Sequence, residues 1–82
     1  MAAGTIRYWA GARAAAGLAE EPYDGDTLGS VLDQAAAAHG AALARVLTVA
    51  SFLVDGVRTS RDAVLPDGAT IEVLPPFAGG SR

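Results

Sequence analysis

The residues best suited to chemistry are the last ones, Leu74-Pro75-Pro76-Phe77-Ala78-Gly79-Gly80. Two prolines fix φ and favour an extended polyproline conformation, so they project the remaining residues away from the body. Fully extended, Pro75 to Gly80 reaches roughly 20 Å at about 3.3 Å per residue. Gly79 and Gly80 carry no Cβ, and with Ala78 they make a thin strip of chain. A terminus this slender can enter a narrow channel and present a carboxylate to a buried site in another protein. Phe77 would be its apolar anchor at the channel mouth. A bare Gly-Gly at a chain end is ordinarily just a frayed terminus. The diproline, the aromatic and the elements before them give this one weight.

Little else in the chain competes. There are no cysteines, which removes disulfides, thiolate metal sites and thiol nucleophiles. Ser51, Ser60 and Ser81 have no base partner in sight, so a serine nucleophile is not expected. His39 is the one histidine. It falls near a helix C-terminus and reads as a capping or solvated residue; no metal site is expected. The net charge of −3 argues against nucleic acid as a partner, because phosphate neutralisation needs clustered positive charge. No run of about 18 apolar residues exists to span a membrane. Met-Ala-Ala-Gly-Thr leads straight into a strand-like segment without a basic-then-apolar leader, so a cytoplasmic location is expected.

The elements that must position the tail fit in 82 residues, enough for one domain. Nineteen residues are alanine, and the larger aliphatics with phenylalanine number another nineteen, so one small core is expected and no large pocket. Thr5 to Trp9 alternates and reads as a strand with Ile6 and Tyr8 inward. Ala10–Ala16 suits a short helical turn stopped by Gly17. Leu18–Tyr23 reads as a strand kept at an edge by Pro22. Asp26 or Thr27 caps the clearest helix, whose stripe is Leu28, Val31, Leu32 and Ala35; it ends near His39, with Gly40 as a left-handed cap. Leu43, Val46 and Leu47 indicate a further short turn. Ser51–Val54, an Asp55-Gly56 turn, Val57–Thr59, the Pro66-Asp67-Gly68 turn and Thr70–Leu74 complete the series. Strand, strand, helix, strand, strand, strand is an α+β layer architecture. The order is that of the β-grasp: about five strands in a mixed sheet packed on one main helix, the last strand parallel to the first at the sheet centre. Residues 1–74 form the domain and 75–82 the tail.

Other side chains offer a partner surface. Arg7, Arg13, Arg58 and Arg61 form a candidate basic face, against the plainer reading of dispersed solubilising charge. Trp9 is either second-face core or part of an exposed docking patch with Phe52 or Leu53. Glu20, Glu21, Asp24 and Asp26 read as a solvated acidic loop, or as a face for a basic partner.

These pieces together resemble the MoaD/ThiS family of ubiquitin-like sulfur-carrier proteins, and most the small-subunit branch of molybdopterin synthase. The likeness runs over about residues 5 to 80. It rests on Ile6-Arg7-Tyr8-Trp9-Ala10, Arg13 with Gly17, the helix capped at Thr27, Phe52-Leu53-Val54-Asp55-Gly56 and Leu65-Pro66-Asp67-Gly68. Most specifically it rests on Val73-Leu74-Pro75-Pro76-Phe77-Ala78-Gly79-Gly80.

The resemblance implies a carrier cycle. A ubiquitin-activating-type adenylyltransferase uses ATP and magnesium to adenylate the Gly80 carboxylate, a sulfur source displaces AMP, and the resulting thiocarboxylate delivers sulfur to an acceptor enzyme. That acceptor would be the molybdopterin synthase large subunit, or a synthase of thiamine, cysteine or a secondary metabolite. The chain would bind no permanent cofactor and would not itself be an enzyme, although it can be counted as the small subunit of one. Ser81 and Arg82 depart from the family pattern, because Gly80 has no free carboxylate while they are attached. They read as a pro-tail removed by a processing peptidase, or as residues added to the natural end. The alternatives are a ubiquitin-like modifier joined through Gly80 to lysines of other proteins, and an interaction module with an inert tail.

Overall fold

The structure, a computed structural model, describes residues 2–76. Five strands and three helices occur in the order β1 (Ala3–Tyr8), α1 (Ala10–Ala16), β2 (Glu20–Asp24), α2 (Leu28–His39), α3 (Ala41–Leu47), β3 (Ser51–Val54), β4 (Val57–Arg58) and β5 (Thr70–Leu74). The strands make one sheet in the order β2-β1-β5-β3-β4. β1 and β5 pair in parallel, with Ile6 opposite Ile71 and Tyr8 opposite Val73. The other three pairings are antiparallel. This is the expected β-grasp arrangement, and β2 is the edge strand that Pro22 requires.

One face of the sheet carries the core. Ile6, Tyr8, Ile71, Val73, Phe52 and Val54 pack there against Leu28, Val31, Leu32, Leu43 and Leu47. Thr27 caps α2 by accepting from the Ser30 N–H (3.2 Å), while the Ser30 hydroxyl oxygen accepts from the Thr27 N–H (3.4 Å). This reciprocal box is worth about 1 kcal/mol. The Asp55-Gly56 turn has φ of 49° and 81°, so both central residues are left-handed, as the tightest hairpin turns demand.

α2 is the expected main helix, and two shorter helices flank it: α1 over the expected Ala10–Ala16 and α3 where a short turn is expected. One expectation is corrected. Gly40 is not a left-handed cap: its φ of 99° and ψ of −172° lie in a region that only glycine populates readily. Its N–H closes α2 on the Ala36 carbonyl (2.9 Å), and its own carbonyl accepts from Ala44 (3.1 Å) to open α3. One residue therefore joins two helices, and the segment expected to be a turn becomes a helix of seven residues.

Candidate functional site

β5 determines where the tail begins. It is held on both sides, by β1 and by β3, up to the pairing of Leu74 with Ser51. The Trp9 N–H adds a hydrogen bond to the Val73 carbonyl (3.2 Å). Pro75 and Pro76 then have no N–H to offer, so the ladder stops and the chain leaves the middle of the sheet. Pro75 is half-buried and Pro76 exposed. The tail is thus rooted in the best-supported strand. Phe77, Ala78, Gly79, Gly80, Ser81 and Arg82 lie outside the described residues.

The open face of the sheet borders this exit. Strand register places Glu20, Arg7, Glu72, Leu53 and Arg58 in one row across all five strands. Arg7 Nε pairs with Glu20 Oε1 at 3.4 Å, and its guanidinium lies 4.9 Å from the centre of the Trp9 ring. The Trp9 indole N–H donates to Glu72 Oε2 (3.1 Å). Trp9 is 40% exposed and belongs to this face rather than to a core. Glu72 ties it to the row, and Leu53, opposite Glu72, is half-buried beside it.

Phe52 is a correction. It pairs with Val73, points to the helical side and is buried, so it is unavailable as an exposed docking residue. The four arginines do not make one basic face either. Arg58 stands at the far end of the row, on edge strand β4. Arg13 is on α1. Arg61 pairs with Asp33 of α2 (3.4 Å), on the helical side, because the loop between β4 and β5 crosses the start of α2.

A polar cluster that no sequence pattern announces lies at the opposite edge of the sheet. Glu21 Oε2 accepts from the Tyr8 hydroxyl (2.6 Å) and meets His39 Nε2 at 2.5 Å. The Tyr8 and His39 rings stand edge to face with centres 6.0 Å apart. His39 is therefore neither solvated nor a simple cap; its side chain is 18% exposed and bolts the end of α2 to β2. Burial first, then the hydrogen bond to Glu21 and that carboxylate's charge, push the Tyr8 hydroxyl well above the ordinary phenol range. The acidic loop accordingly does not behave as one solvated group: Glu20 pairs with Arg7, Glu21 is half-buried, and Asp26 accepts from the Ala2 N–H (3.3 Å). No signal short of the fold joins residues 8, 21 and 39. Their arrangement braces the scaffold; His39, being engaged with Glu21, activates no nearby nucleophile among the described residues.

No helix among the described residues is long and apolar enough to cross a membrane. Comparison with solved structures finds small archaeal modifier protein 1 from Methanosarcina acetivorans, 26% identical, with 98% of each chain covered and a TM-score of 0.87. It also finds small archaeal modifier protein 1 from Haloferax volcanii, 25% identical, covering 95% of this chain and 99% of that one, with a TM-score of 0.82. A protein assigned as molybdopterin converting factor, subunit 1, from Pyrococcus furiosus is 21% identical over 94% of this chain and all of its own, with a TM-score of 0.77, a likeness of fold. No curated protein sequence matches. The ThiS family model matches residues 6–80, nearly the whole chain and both glycines of the tail, and the protein is therefore a ubiquitin-like β-grasp member of the ThiS family.

Proposed function

We propose that the protein is a sulfur carrier whose working group is the Gly80 carboxylate, exposed once a peptidase removes Ser81 and Arg82. The observation that supports this reading is that the family match runs to Gly80 and takes in both glycines of the tail. A carboxylate is a poor acyl electrophile. A ubiquitin-activating-type enzyme with ATP and magnesium would join it to AMP, releasing pyrophosphate. Sulfide would then attack the acyl carbon and expel AMP, leaving a thiocarboxylate; a persulfide would instead leave an acyl disulfide, which a thiol of the sulfur-donating partner cleaves to the thiocarboxylate, itself ending in a disulfide. Transfer of that sulfur to an acceptor, with water supplying the oxygen, returns the carboxylate. The molybdopterin synthase large subunit is the acceptor we favour. The chain's own contribution is positional: a rigid central strand, a diproline that ends pairing, and a slim terminus that another protein's site can enclose.

The absence of cysteine makes a direct test available. Protein recovered from its native cells is treated with a thiol-alkylating reagent. A thiocarboxylate alkylates once, at Gly80, on a form lacking Ser81 and Arg82. A population that still ends at Arg82 while the pathway is active contradicts the proposal. A second reading is favoured by the two archaeal modifier proteins among the similar structures. In it, the lysine-free chain is joined through Gly80 to lysines of other proteins, and the same sample yields isopeptides instead of alkylated termini.

A further inference from the structure

α1 packs against α3, and a shallow apolar groove runs between them. Gly11, Ala14 and Ala15 form one wall; Ala42, Val46 and Val49 form the other, with Arg45 at its rim. Val49 is 63% exposed, so its apolar surface has nothing over it. Alanine at three lining positions leaves room that leucine or valine would have filled.

The charge around this groove is unlike that of the rest of the chain. The protein carries nine acidic residues and a net charge of −3, yet residues 10–19 and 40–50, which hold both helices, contain none. The charges they do carry are Arg13 and Arg45. Arg7 and Arg61 are paired with carboxylates, but Arg13 and Arg45 have no ion-pair partner among the described residues. Arg45 stands at the rim of the groove, and Arg13 does not line it. An apolar floor with one such guanidinium at its rim and no acidic residue in either helix fits a partner that brings a carboxylate beside apolar side chains. A single arginine at the rim is too little for a polyphosphate chain.

The groove also lies close to the root of the tail. α1 begins directly after Trp9, whose N–H holds the Val73 carbonyl. α3 ends at Leu47, and the chain continues through Val49 and Ala50 to Ser51, the partner of Leu74. Both helices therefore have one terminus at the end of the sheet where β5 stops.

We propose that the α1–α3 groove docks an acidic amphipathic segment of a partner protein, its apolar residues seated between Ala14, Ala15, Val46 and Val49 and a carboxylate on Arg45 at the rim. The proposal does not depend on what happens at Gly80, and its test uses no ATP. The full chain, labelled with nitrogen-15, is titrated with two synthetic helical peptides that share one leucine stripe. One carries glutamates on its other positions and the second carries lysines. The glutamate peptide is expected to shift the amides of Ala14, Ala15, Ala42, Val46 and Val49 and to bind at least tenfold more tightly than the lysine peptide. Arg45→Glu, at an exposed position, is expected to weaken it at least tenfold, and Val49→Asp to do the same through the apolar wall. Equal binding of both peptides, shifts confined to the open sheet face, or unchanged binding by both variants overturns the proposal. So does finding that the same amides respond to phosphatidylglycerol vesicles, or to protein concentration alone, since the occupant would then be a membrane or a second copy.

Discussion

The two ends of the helical layer are built on different rules. Where α2 meets β2, polar groups interlock: Tyr8 and His39 converge on Glu21, Thr27 and Ser30 cap each other, and the Tyr23 hydroxyl donates to the Ala69 carbonyl (2.9 Å). Where α1 meets α3, alanines line the gap, and Arg45 at its rim stands without an ion-pair partner among the described residues. The first end has its hydrogen bonds satisfied internally. The second leaves apolar surface and charge to be satisfied by something else, beside the root of the tail. In a carrier this division makes sense: one end secures the scaffold and the other remains available.

The contrast is broken most severely at Gly4, on the interlocked end. A Cβ there would lie 2.1 Å from the Ala69 carbonyl oxygen and 2.8 Å from the Tyr23 hydroxyl. Gly4→Ala is expected to cost about 3 kcal/mol in denaturant unfolding, since backbone cannot step aside. Glu21→Ala comes next, at about 2 kcal/mol, because the Tyr8 hydroxyl loses its acceptor in a buried place. Gly40→Ala ranks third at about 1–2 kcal/mol, the cost of forcing a side chain into its φ and ψ.

Alkaline pH probes the same end. Tyr8 is raised above the ordinary phenol value chiefly by burial, and so is Tyr23, with Asp55 and Asp67 adding to the effect. The unfolded chain therefore ionises first. The stability these groups contribute is complete below about pH 10 and is lost as pH climbs from there towards the raised folded-state values. Unfolding midpoints should fall in that window, and Tyr8→Phe should flatten the decline. At the other end, Val49→Asp should change stability by less than about 0.5 kcal/mol, although it is expected to weaken peptide docking at least tenfold. A large loss of stability there would erase the distinction between the two ends.

Much of the fold was legible in local pattern. Alternation placed Ile6 and Tyr8 inward, Pro22 marked an edge, and Asp55-Gly56 set a hairpin, since each depends on residues close in sequence. Phe52 was not legible, because Ser51-Phe52-Leu53-Val54 is apolar on both faces until its register with β5 is known. Gly40 suggested a stop but not a one-residue joint. The Tyr8–Glu21–His39 cluster joins positions 13 and 18 residues apart, and only the closed fold brings them together. The groove hid behind alanines, which look like padding in a sequence and become a surface only when two helices meet. The tail was legible as a motif, because Pro75 to Gly80 are contiguous in sequence and need no fold to bring them together.

Sulfur loading at a free Gly80 carboxylate is best checked with two chains, one ending at Gly80 and one at Arg82. Each is given the activating enzyme, ATP, magnesium and sulfide, and its intact mass is read. The chain ending at Gly80 is expected to gain the mass of one oxygen-to-sulfur exchange, and the chain ending at Arg82 to stay unchanged. Sulfur taken up by the Arg82 form, or refused by the Gly80 form when the same enzyme loads another ThiS-family carrier, would show that the Gly80 carboxylate is not the working group.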